Sequence, residues 1–175
     1  MKKYFNIFIR YLIIILFAFS NLYLFYLIFT PLTVYPVYFL LKLFFNVSLS
    51  QNTLIINSFS IKFIKACIAG AAYYFLFVLN MSVPEIKLKK RLKLILFSFS
   101  FLLFLNIIRI IFLSLLLFFN VFLFEITHKI MWYLLSTFFV VLIWFLEVKI
   151  FKIKQIPFYS DFKFLYKKSI FKSKK

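Results

Sequence analysis

The sequence predicts an all-α integral membrane protein with about four transmembrane helices, one interfacial helix and a short extended extracytoplasmic segment. Three observations predict it. Hydrophobic residues make up 66% of the 175 and the mean hydropathy is +1.05, a composition that does not build a water-soluble globule. Several apolar runs reach about 20 residues, the length at which a helix crosses hydrocarbon. Finally, 17 of the 22 basic residues fall in three blocks, before residue 11, over 87–93 and from 149 onward. Blocks placed between or beyond apolar runs are the feature that orients a membrane protein, with the basic side cytoplasmic.

Taken in order, residues 11–29 form the first span, ended by Thr30-Pro31. Pro31 and Pro36 punctuate a shorter apolar stretch, 35–45, which contains Lys42 and suits a helix lying in the outer interface better than a second crossing. Over 47–65 the pattern changes to alternation of polar and β-branched residues, the period of an extended or hairpin segment outside the lipid. The second span, 64–83, opens with KACIAGAA and ends at Pro84. The basic block 87–93 follows, then a third span at 94–117, a brief outer loop at 118–127 and a fourth span at 128–148. Four crossings place all three basic blocks on one side; a fifth at 35–45 would divide them. The chain thus divides into a polytopic membrane domain, 1–148, and a basic cytoplasmic tail, 149–175, that lies along anionic headgroups.

The net charge of +18 does not point to nucleic acid, because no soluble domain is left to bind it. The 30 phenylalanines beside a single glycine follow a compositional drift and carry little functional weight. One cysteine excludes an intramolecular disulfide. One cysteine and one histidine do not furnish a metal site, there is no glycine-rich phosphate loop, and no cofactor is expected.

Chemistry concentrates in the third span. Asn106 and Arg109 lie in its interior at i and i+3, on one helix face. An arginine in hydrocarbon costs roughly 3 to over 10 kcal/mol, and no acidic residue lies at its depth. At 1.5 Å per residue, Arg109 is roughly 10 to 12 Å from the outer end of its helix, within snorkelling reach of that interface. Cys67 stands near the outer start of its span and His128 at the outer start of the last. The single cysteine, the single histidine and the mid-span arginine therefore converge on one leaflet. Such a set fits thiol nucleophilic catalysis, in which an imidazole takes and returns a proton and a guanidinium stabilises the thiolate or the oxyanion. Asn106 can hold a partner or donate a second hydrogen bond to the oxyanion. Gly70, one turn from Cys67, leaves room for another helix or a substrate to approach the thiol.

Cys67-Ile68-Ala69-Gly70 opening a span, Asn106-Ile107-Ile108-Arg109-Ile110 within the next and His128 opening the one after resemble the archaeosortase/exosortase family. The small archaeal, pacearchaeosortase-like members are most similar, over about residues 47–148. The resemblance implies a membrane-embedded cysteine transpeptidase or protease that cleaves C-terminal sorting tails of exported surface proteins. It implies Cys67 as nucleophile, Arg109 as the family arginine and His128 as the third catalytic residue. The implied partner is an exported protein ending in a short motif, a transmembrane helix and a basic tail, and the acyl acceptor is water, a membrane lipid or another amine. Ile68 and Ala69 depart from the usual motif, which places a small polar residue and then glycine directly after the cysteine. A non-catalytic membrane assembly subunit that docks a partner through its basic tail is the alternative, and a transporter or channel draws little support from four crossings without paired broken helices.

Overall fold

The computed structural model describes residues 2–56, 59–119, 121–131 and 136–167. It is mostly helical: eight helices and one small three-stranded sheet occur among the described residues. Part of the expected 128–148 span, residues 132–135, and residues 168–175 of the tail lie outside the described residues.

The first traverse is longer than the sequence suggests and is broken elsewhere. Helix α1 runs Lys2–Phe19 and α2 runs Tyr23–Lys42. Between them Asn21 and Leu22 take positive φ, 49° and 60°, and Ser20 Oγ turns back to donate to the Phe17 carbonyl at 2.8 Å. Asn tolerates the left-handed region and Ser competes for backbone partners, so this polar pair is where the apolar run bends. The expected span 11–29 straddles that break.

The expected stop at Thr30-Pro31 and the separate interfacial helix at 35–45 are both corrected. One helix passes through Pro31 and Pro36, because its buried residues Phe25, Phe29, Thr33, Val37 and Leu41 recur every four positions and keep one face against the bundle. Pro31 lies off that stripe and is exposed, so its ring does not intrude on the packed face. Both α1 and α2 pack along α4 (Gly70–Ser82). Arg10 reaches the end of α4 at Val83, the Ile14 carbonyl accepts from Tyr74, and the Tyr26 ring meets its start at Gly70.

The alternating stretch folds into more than one hairpin, which makes the molecule mostly helical rather than all-α. Strands β1 (Val47–Ser50), β2 (Thr53–Ile56) and β3 (Phe59–Lys62) form an antiparallel meander in the order β1-β2-β3. In β2 the inward Leu54 and Ile56 are buried while Ile55 between them is 40% exposed, the period-2 pattern of a sheet with one packed face. The sheet leads through Phe63, whose N–H donates to the Asn52 carbonyl, into the short helix α3 (Lys65–Ile68).

Helix α5, Leu88–Phe119, is the longest element at 32 residues, about 48 Å at the α-helical rise; it begins within the basic block, ahead of the expected position 94. The expected loop at 118–127 is helical: α5 continues to Phe119, and α6 occupies Val121–Ile130. His128 therefore stands in the last turn of α6 rather than at the start of α7 (Ser136–Ile150). By length and composition α2 and residues 88–117 of α5 are apolar enough to cross a membrane.

A small set of aromatic residues builds the core. Phe29 stacks on Tyr73 with centroids 3.6 Å apart, Phe99 meets both edge-on, and Phe25 is edge-on to Phe99 and Phe77. This cluster locks α2, α4 and α5 together. Beneath it, Asn80, Ser98 and Glu147 form a fully buried polar cluster between α4, α5 and α7, in which the Asn80 amide donates to Ser98 Oγ at 3.2 Å and to Glu147 Oε2 at 3.2 Å.

The end of α4 is held by two arginines. Arg91 donates to the carbonyls of Asn80, Met81 and Val83, and Arg10 to those of Met81 and Val83. These carbonyls have no intrahelical partner at a helix C-terminus, where the dipole also favours cations. Val83, before Pro84, is extended as that position requires. Arg10 also pairs with Asp161 at 2.6 Å, which lies on α8 (Tyr159–Lys167). The described part of the basic tail, expected to lie along headgroups, thus folds back on the bundle, with Ile153 and Asp161 buried. Asp161→Ala is expected to leave Arg10 without its carboxylate and to loosen α8 by about 2 kcal/mol. Limited trypsin digestion at Lys163 checks it, with cleavage at least tenfold faster than in the wild type.

Candidate functional site

At the opposite end of α4, the local backbone prepares the cysteine. Ala69 takes φ 60° and ψ 36°, ending α3 and starting α4 at one residue. A left-handed alanine costs about 1–2 kcal/mol, so the surroundings must hold it. The interruption takes Cys67 out of the continuous helix, and the Cys67 carbonyl accepts a hydrogen bond from Asn106 Nδ2 at 2.8 Å. Asn106 is 2% exposed; its amide substitutes for the backbone donor that an unbroken helix would have provided.

Arg109 follows on the same face of α5 and is buried, at 6% exposure. It lies close enough to Cys67 and to His128 for its charge to act on both. Asn106 therefore fixes the position of the cysteine-bearing turn, and Arg109 is the group that Cys67 and His128 share. The cysteine is partly exposed and is not in a disulfide, so a reagent can reach it. His128 is half-buried on α6, with its ring 5.4 Å from that of Phe124 one turn earlier. Packing of α6 back along α5 carries it to this region. The four residues Cys67, Asn106, Arg109 and His128 are thus gathered at one end of the bundle by α3, α5 and α6.

Gly70 has a specific occupant. A Cβ there would come 2.6 Å from Cε1 and Cζ of the Tyr26 ring, so the missing side chain admits Tyr26 from α2. That ring in turn faces the Lys65 ammonium, 5.5 Å from its centroid, a cation–π contact that ties the other end of α3 to the same side chain. Tyr26 is the residue that reading the sequence missed. Its role depends on the meeting of two distant segments, and nothing in its local pattern marks it. No group of three or more potential metal ligands occurs among the described residues.

Compared with family models, with curated proteins and with solved structures, the chain finds no match.

Gly70→Ala is expected to drive the Tyr26 ring from its seat and to destabilise the fold by about 1–3 kcal/mol, the usual range for overpacking. Adding Tyr26→Leu should recover at least half of that loss. Thermal unfolding of the single and double variants in detergent checks the pair, and additive losses would contradict the contact.

Proposed function

We propose that the chain is a membrane-embedded cysteine peptidase or transpeptidase acting on C-terminal tails of exported proteins, with Cys67 as nucleophile. The observation that carries this reading is the burial of Asn106 and Arg109 on one face of α5, directed at the turn that bears an accessible thiol. A buried guanidinium inside an apolar span is expensive, and a thiol that must ionise gives it a use. The resemblance of these residues to the archaeosortase/exosortase pattern points the same way.

The reading places four crossings in the membrane: α1 with α2, α3 with α4, α5, and α6 with α7. The three basic blocks, which meet around Arg10, Arg91 and α8, lie on the cytoplasmic side, and the site faces the extracytoplasmic leaflet. In the first half-reaction the Cys67 thiolate, stabilised by Arg109, attacks the scissile carbonyl carbon. A C–S bond forms, the C–N bond breaks, and the departing amine takes the proton that His128 has accepted from the thiol. In the second, water or an amine-bearing lipid or surface acceptor gives a proton to His128 and attacks the thioester carbonyl; a C–O or C–N bond forms, the C–S bond breaks and the thiolate leaves. Arg109 sees negative charge at both stages, first on sulfur and then on the tetrahedral oxygen. Asn106 is a positioning residue, because its amide is engaged with the Cys67 carbonyl.

Coexpression with an exported reporter ending in a short motif, an apolar helix and a Lys/Arg cluster tests this reading. Cys67→Ser and Arg109→Ala should each reduce tail removal by at least a hundredfold while the protein remains inserted. His128→Gln should slow it by at least tenfold. Undiminished processing in the Cys67 variant would overturn the reading.

A further inference from the structure

At the end of the bundle away from the thiol, two cavities share a wall. The larger, about 780 Å³, opens between α1 and the start of α5 over the end of α4. Its polarity is graded: Arg10 and Arg91 line its mouth, and one turn further toward the middle of the bundle stand Ile13 and Ile95, with Phe17 and Phe77 beyond. The smaller, about 350 Å³, is a cup walled by Lys87, Lys90, Lys152 and Lys154 against Glu85. Glu85 and Ile86 line both, so the apolar groove and the basic cup lie side by side.

We propose that this composite cavity holds one anionic phospholipid of the adjoining leaflet, with an acyl chain in the groove and the headgroup phosphate in the lysine cup. The inference rests on the membrane reading above but not on the thiol chemistry. Charge selects the occupant. At the mouth, Arg10 is already paired with Asp161, and Arg91 is engaged with three carbonyls. In the cup, Lys90 donates to the Phe151 carbonyl at 2.8 Å, and four lysines stand against one carboxylate, an excess of positive charge that calls for an anion. A second copy of a chain with net charge +18 would bring its own basic end against this one. A soluble anion would fill the cup and leave the apolar groove wet. An amphiphile with a phosphate at one end satisfies both cavities, and the larger volume lies within the range of ligand sites.

Native mass spectrometry of the full chain, delipidated in detergent and titrated with dioleoyl phosphatidylglycerol or dioleoyl phosphatidylcholine, tests the proposal. The wild type should retain one phosphatidylglycerol with at least tenfold preference, since each basic residue near the headgroup contributes about fivefold. The triple variant Lys87→Gln/Lys152→Gln/Lys154→Gln changes exposed side chains only and should bring the preference to within about threefold. Ile13→Trp, or Ile95→Trp from the facing wall, should weaken both lipids at least fivefold. Equal retention of the two lipids by the wild type, an undiminished preference in the triple variant, or displacement by soluble glycerol phosphate at equal concentration would each overturn it. Cys67→Ser should leave lipid retention unchanged, so loss of tail processing and loss of this site are separate outcomes. A chain that fails to enter bilayers on reconstitution overturns the membrane reading and this site together.

Discussion

The hydrogen bond from the Asn106 amide to the Cys67 carbonyl is the constraint on which the functional end of the molecule depends. Ala69 in the left-handed region interrupts the helix and detaches the Cys67 carbonyl from the ladder. Left alone, both the strained alanine and the freed carbonyl would favour straightening into one continuous helix. Asn106, buried and 2.8 Å away, gives the interrupted form a partner the straight form lacks, and Tyr26 is seated where a side chain on Gly70 would stand. The same helix face then delivers Arg109 beside the thiol. Local backbone, a tertiary contact and electrostatics are therefore consequences of one arrangement across α3, α4 and α5.

The two ends of α4 are built for opposite purposes. At its C-terminus two guanidinium groups saturate the last carbonyls, and one of them also anchors α8 through Asp161. At its N-terminus the chain is bent at Ala69 and carries the partly exposed Cys67. Between them the stacked aromatic cluster and the buried Asn80, Ser98 and Glu147 cluster hold α4 against α2, α5 and α7. For the proposed enzyme, a rigid strut of this kind would keep the site from relaxing when substrate strains it, which is how positioning lowers a barrier.

How much of this could be read from the residues depended on whether the cause was local. Asn106 and Arg109 were visible because their three-residue spacing and their cost in an apolar run are properties of one segment. The extended stretch after residue 46 was visible from its alternation, although the number of strands was not, since turns at Gln51-Asn52 and beyond lack a proline or glycine signal. The prolines of α2 misled, because a proline rule that holds for an isolated helix yields where a four-residue stripe of buried side chains holds the helix through it. The break at Ala69 was invisible, since CIAGAA reads as uninterrupted helix and alanine has no preference for the left-handed region. The complete burial of Glu147 against Asn80 and Ser98 has no local signal, since it follows from the meeting of three helices.

In the proposed mechanism Arg109 acts on the Cys67 sulfur from the extracytoplasmic side. The direct measurement is the alkylation rate of Cys67 by a membrane-impermeant maleimide applied to either face of sealed vesicles, in the wild type and in Arg109→Leu. The account predicts labelling from the extracytoplasmic face alone and a rate at least tenfold lower in the variant, whose thiol has lost its stabilising cation. Equal rates in the two proteins, or labelling from the face that bears the basic blocks, would contradict it.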